Sequence, residues 1–154
     1  MHFYRGSDLS IKFRTEAPEL PELADLGMWL TFDMGFSFDC CLIALCAVDD
    51  VLSGRSETAG YGGNLYDVDI SHLAAVFTHV DGSPPTSCPM STVKSAVEGY
   101  WRFLLTLPEN PQVIRSYRPE LPSHLAALLW WEEHRERPHP YRGRIEGIPA
   151  QGPK

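Results

Sequence analysis

The run Cys40-Cys41-Leu42-Ile43-Ala44-Leu45-Cys46-Ala47-Val48 is apolar at every position. Ser37 or Asp39 can cap a helix here that runs to about Leu52, and Gly54 ends it. A helix with one apolar stripe lies on a surface. A helix that is apolar on every face must be buried on most sides or lie beneath another chain. Either the fold or a second chain must therefore supply cover around this segment. A chain of 154 residues can do so, since that length buries roughly 70% of its unfolded surface in one domain.

The other segments suggest what provides the cover. Leu9–Phe13 alternates with period two and predicts a strand. Residues 15–27, with Pro18, Pro21 and Gly27, predict an acidic loop. Met28, Leu30, Phe32 and Met34 alternate with Trp29, Thr31 and Asp33, predicting a second strand. Gly60, Gly62, Gly63 and Asn64 mark a turn-rich loop. Tyr66, Val68 and Ile70 alternate with outward Asp67 and Asp69, and Leu73–Val80 follows as the other arm of a hairpin.

Val93, Ala96, Val97, Tyr100, Trp101 and Leu104 recur at helical spacing, with Ser91 as the expected cap and Pro108 as the stop. A last helix is expected from about Ser123 to Arg135, with Leu121, Leu125, Leu128 and Leu129 on its buried side. The predicted fold class is α+β: a two-layer sandwich in which an antiparallel sheet of about four strands carries three helices. Residues 1–137 form its single domain. Residues 138–154, rich in Pro and Gly, are expected as a disordered tail.

Charge is unevenly placed. Between Glu16 and Asp81 there are twelve carboxylates and one base, Arg55, although the whole chain carries only −7. A field of this sign favours cationic partners and argues against nucleic acid as a ligand, since phosphates need clustered Lys and Arg. Asp33, Asp49, Asp50, Asp67, Asp69 and Asp81 are the expected members of an acidic partner-binding patch. Asp49 and Asp50 stand at the unfavourable end of a helix dipole, where they are either solvated or held for a partner. From Arg135 onward the chain is basic, so the tail can fold back on the acidic body or act only as a solubilising extension. In the pair Trp130-Trp131 the two side chains must point differently. The exposed one, beside Glu132 and Glu133, suits a binding anchor.

Other chemistries are less well supplied. Asp67 and Asp69 share one side of a strand with Cβ atoms ~7 Å apart, and two carboxylates are too few to hold a cation. Cys40, Cys41, Cys46 and Cys88 include no CxxC pair, so neither a metal nor another cofactor is expected. Reduced, buried thiols fit a cytoplasmic location. No apolar run approaches the ~18 residues of a membrane span, and Met1–Asp8 lacks the apolar core of a signal peptide.

Two resemblances bear on function. Phe38-Asp39-Cys40 ahead of an apolar helix resembles the catalytic segment of NlpC/P60 cysteine peptidases, although Cys41-Leu42 stands where that family has Ser-Gly. The resemblance implies a hydrolase with Cys40 as nucleophile and His72 as base, His79 being the spare. Gly63-Asn64-Leu65-Tyr66-Asp67-Val68 and Tyr100-Trp101-Arg102-Phe103-Leu104, in an acidic α+β chain, resemble segments of bacterial toxin-immunity proteins, including those of contact-dependent inhibition systems. That resemblance implies a non-enzymatic protein that occludes a basic, nuclease-type toxin domain. A third reading is an oligomeric subunit, a homodimer that buries the all-apolar helix against a second copy.

Overall fold

The computed structural model describes residues 1–153. Two strands, β1 (His2–Arg5) and β2 (Ile11–Arg14), form an antiparallel hairpin. Helix α1 (Pro21–Met28) continues into a π-helical stretch, Trp29–Met34, and α2 (Phe38–Leu52) follows. Four strands, β3 (Thr58–Gly62), β4 (Tyr66–Ser71), β5 (Ala74–His79) and β6 (Thr86–Pro89), make an antiparallel sheet in chain order. Helices α3 (Met90–Thr106) and α4 (Ser123–Arg135) complete the elements. The class is α+β, with four helices among the described residues rather than three.

Helix α2 is the centre of the molecule. Ser37 Oγ accepts the Cys40 N–H at 3.1 Å and caps it. Its buried residues, Cys41 through Val51 with few gaps, occupy all its faces. Cover comes from β3 and β4, from α3 and from α4. The chain thus buries its own apolar helix, and the all-round pattern needs no second copy to explain it.

The inward side of the sheet carries Tyr61, Tyr66, Val68, Ile70, Ala75, Phe77 and Cys88, all buried. Trp29 sits edge-on to both Tyr61 and Phe77, at 5.2 and 5.6 Å between ring centroids. The outward side carries Gly60, Gly62, Asp67, Asp69, Thr78 and Ser87 and is exposed.

Residues 21–34 are helical, not loop and strand. Pro21 stands at the first helical turn, where its missing N–H is no loss. Leu26, Trp29, Leu30 and Met34 are buried together, and Phe32 is exposed, so helical spacing wins over the alternation. The Thr31 hydroxyl donates back to Gly27 O at 2.8 Å within this helix. Gly27 has a packing role, because a Cβ there would overlap the Phe13 ring of β2. The expected glycine loop is partly the edge strand β3, and α3 begins at Met90 after Pro89 without a side-chain cap.

Residues 138–153 of the expected tail pack against the body, and Lys154 lies outside the described residues. His139, Tyr141, Ile145 and Ile148 are buried. The Trp101 indole N–H donates to Glu146 O at 2.8 Å, and Arg142 holds Glu132 at 2.6 and 2.8 Å. His139 reaches the second turn of α2, with Nε2 3.0 Å from Leu42 O, and Nδ1 accepts the Tyr141 N–H at 3.2 Å. These partners fix the neutral ring with its proton on Nε2, and burial depresses the pKa to about 4.

Candidate partner-binding surfaces

The six aspartates expected to form one patch separate into three kinds. Asp33, at the end of the π-helical stretch, is a turn cap. Its carboxylate accepts the N–H groups of Asn64, Leu65 and Tyr66 at 3.0, 2.9 and 3.0 Å. A Cβ at position 63 would run into that carboxylate, which is why a glycine stands there. Three charge-assisted bonds satisfy the acid and pin the entry to β4.

Asp49 and Asp50 belong to an internal ion-pair network. Asp49 is buried and is held by the guanidinium groups of Arg55 and Arg144, the latter at 2.6 Å. Asp50 pairs with Arg55 at 2.8 Å and Arg137 at 3.4 Å, and the Cys46 thiol lies 3.4 Å away. Burial works against ionisation of Asp50, but hydrogen bonds from Arg55 and Cys46 outweigh it and hold the carboxyl below the usual range. The acids set against the dipole of α2 are thus held by this chain's own bases, two of which, Arg137 and Arg144, come from the basic C-terminal segment. They are not free for a partner.

Asp67, Asp69 and Asp81 remain at the surface. The first two project from the outward face of β4, beside Gly62 and Thr78 for Asp67 and beside Gly60 and Val76 for Asp69. No ion pair or hydrogen bond engages either carboxylate among the described residues. Asp67 stands clear of its neighbours on this exposed face, and Asp69 lines a surface concavity with Thr58, Gly60 and Val76. Asp81 lies in the loop after β5. Its carboxylate takes the Ser83 hydroxyl and N–H and the His79 ring, contacts that bring its pKa down to about 2.

The tryptophan pair divides as the sequence requires. Trp131 is core, edge-on to His139 at 4.5 Å with the guanidinium groups of Arg135 and Arg137 over its ring, so it is not a binding anchor. Trp130 is 40% exposed and stacks on His134 at 3.9 Å. It lines a groove of about 460 Å³ between α4, the start of α2 and residues 113–117. Phe36, Val113 and Ile114 stand exposed at this groove. The sequence reading missed it because its walls come from three distant stretches, one of them a Pro-bounded connector with no periodicity. An isolated Val113-Ile114 pair in that connector was the only local signal.

Cys40 and His72 are not brought together. Cys40 is half-buried at the start of α2, and its neighbour there is Tyr61, whose pKa is raised by burial and by Cys40. Tyr61 pairs across the sheet with Val68. His72 lies four positions beyond Val68, about 13 Å farther along the strand direction, and is exposed in the β4–β5 turn. His79 faces Tyr66 and Asp81 instead. The remaining thiols are raised by burial, Cys46 and Cys88 to about 11.

No group of three His, Cys, Asp or Glu side chains able to hold a metal ion occurs among the described residues, and no helix there is long and apolar enough to cross a membrane. Comparison with family models, with curated proteins and with solved structures finds no match for this chain.

Proposed function

We propose that the protein is a non-enzymatic binding protein whose acidic surface engages a basic protein partner, most concretely an immunity protein that occludes a nuclease-type toxin domain in the cytoplasm. The observation that carries this reading is the bare outward face of β4. Asp67 and Asp69 stand there exposed and, among the described residues, unpaired, opposite Gly60, Gly62, Val76 and Thr78. Such a face leaves both carboxylates open to a positive cleft. A net charge of −7 steers a cationic partner toward it and makes association sensitive to salt. The hydrolase alternative needs a base beside Cys40, where the structure has a tyrosine.

The test is affinity capture at low salt, followed by a step to high salt with the eluted proteins identified. A single basic partner released by the step and recovered poorly with the D67N/D69N variant supports the reading. A partner captured equally well by that variant removes the sheet face from the interface.

A further inference from the structure

We infer that the groove beside Trp130 is a docking site for a segment of the basic partner, one that presents a large apolar side chain next to a Lys or Arg. This deepens the binding reading and rests on it. Phe36, Val113 and Ile114 are 55, 60 and 95% exposed around the groove, and Trp130 adds a fourth large apolar surface. Scattered exposed apolar residues are ordinary. Four that converge on one concavity with a floor of Ala126 and Ala127 are a place for an apolar side chain.

The charges of the groove select the occupant. Asp39 lies on its lining, in the first turn of α2, and no ion pair or hydrogen bond engages its carboxylate among the described residues. Asp39 keeps solvent access at its edge, yet the surrounding walls desolvate the carboxyl and push its pKa above the usual range. A cation placed beside it relieves that cost. Tyr117, also on the lining, donates to Glu133 Oε2 at 2.8 Å, which adds a second acid at the rim. The one base of the lining, Arg115, is set against a third acid: its Nη2 donates to Leu121 O at 2.5 Å and lies 3.6 Å from Glu109, while its buried Nη1 has no partner among the described residues. The groove therefore combines apolar walls with an unpaired carboxylate, Asp39, the complement of an apolar anchor flanked by a base; at its other edge the Arg5 guanidinium lies 5.9 Å over the Phe36 ring.

The test uses two short amphipathic peptides with the same apolar residues, one carrying Lys and Arg and the other Glu, titrated into the full-length isotope-labelled protein. The expected result is shifts of the Phe36, Asp39 and Trp130 signals, with the basic peptide bound about tenfold more tightly than the acidic one. Asp39→Asn then removes most of that preference, and Ile114→Ser, at a side chain open to solvent, weakens both peptides without unfolding the protein. Shifts that avoid the groove, or equal affinity for the two peptides, overturn the inference. So does reversible dimerisation of the protein alone that Ile114→Ser abolishes, which makes a second copy the occupant. Retained capture of a salt-released partner through Asp67 and Asp69, with no peptide in the groove, sinks the docking site and leaves the binding reading intact.

Discussion

Arg144 Nη1 donates to Asp49 Oδ1 at 2.6 Å, joining residues 95 positions apart. One is a base in what reads as a flexible tail, and the other is a buried acid at the wrong end of a helix dipole. Each explains the other. Arg55 and Arg137 complete the network at Asp49 and Asp50, so that negative charge concentrated early in the chain is met by positive charge at its end.

Asp49→Ala is expected to lower stability by about 2 kcal/mol. Loss of one partner of a buried pair costs more than that when both groups are desolvated, but both arginines here are partly exposed and solvent screens what remains. Arg144→Ala is expected to cost about 1 kcal/mol by the same reasoning. Urea unfolding should show lower midpoints with unchanged slopes.

Deleting residues 138–154 is a harsher change. It uncovers Leu42 and Trp131 and removes Tyr141, Ile145 and Ile148 from the core. Burial of such side chains contributes about 1.5–3 kcal/mol each, a sum comparable with the whole stability of a domain. The deletion variant is expected to lose cooperative unfolding. A variant as stable as the full chain would mean that the segment does not dock.

His139 makes stability depend on pH. Its folded pKa of about 4 lies below the ordinary value of 6.5. The unfolded chain therefore binds the extra proton first, and protonation favours unfolding. The contribution is fully present above pH 6.5 and is lost as pH falls toward 4, amounting to at most about 3 kcal/mol. Glu132 and Asp49, which face the ring, soften the effect, and Arg137 sharpens it. The urea midpoint of the wild type should fall across this window, and that of His139→Gln should fall less.

Asp33 and Asp67 should behave oppositely. Asp33→Ala leaves three backbone N–H groups at the entry to β4 without their acceptor, which costs about 1–3 kcal/mol, while partner association keeps its salt dependence. Asp67→Asn should leave the thermal midpoint unchanged and slow association. Thermal unfolding and binding kinetics on the same two variants separate the roles.

The sequence shows most clearly what local periodicity governs. Helix α2, the helical face of α3, the extent of α4 and the β4–β5 hairpin follow from residues close in the chain, as does the rule that Trp130 and Trp131 must diverge. The failures have separate causes. At Met28–Met34 the alternation is real but Leu26, Trp29, Leu30 and Met34 fit a helix better, and Pro21, a breaker inside a helix, is accommodated at a helix start. Strands β3 and β6 are short edges, bounded by glycine and proline, which mask the pairing each makes with its neighbouring strand in the chain. In the C-terminal segment, Tyr141, Ile145 and Ile148 were outweighed by Pro and Gly content, although composition does not measure what a few apolar side chains can bury. The acidic patch failed at Asp33, Asp49 and Asp50 because charge counting cannot show which acids already have partners.

The most direct test of the binding account is the association rate of the captured basic partner with wild type and D67N/D69N across a range of salt. The account predicts that wild type associates fast at low salt and slows steeply as salt rises, while the variant is slower at low salt by about tenfold and converges with wild type at high salt. Superimposable rates at every salt concentration would contradict it.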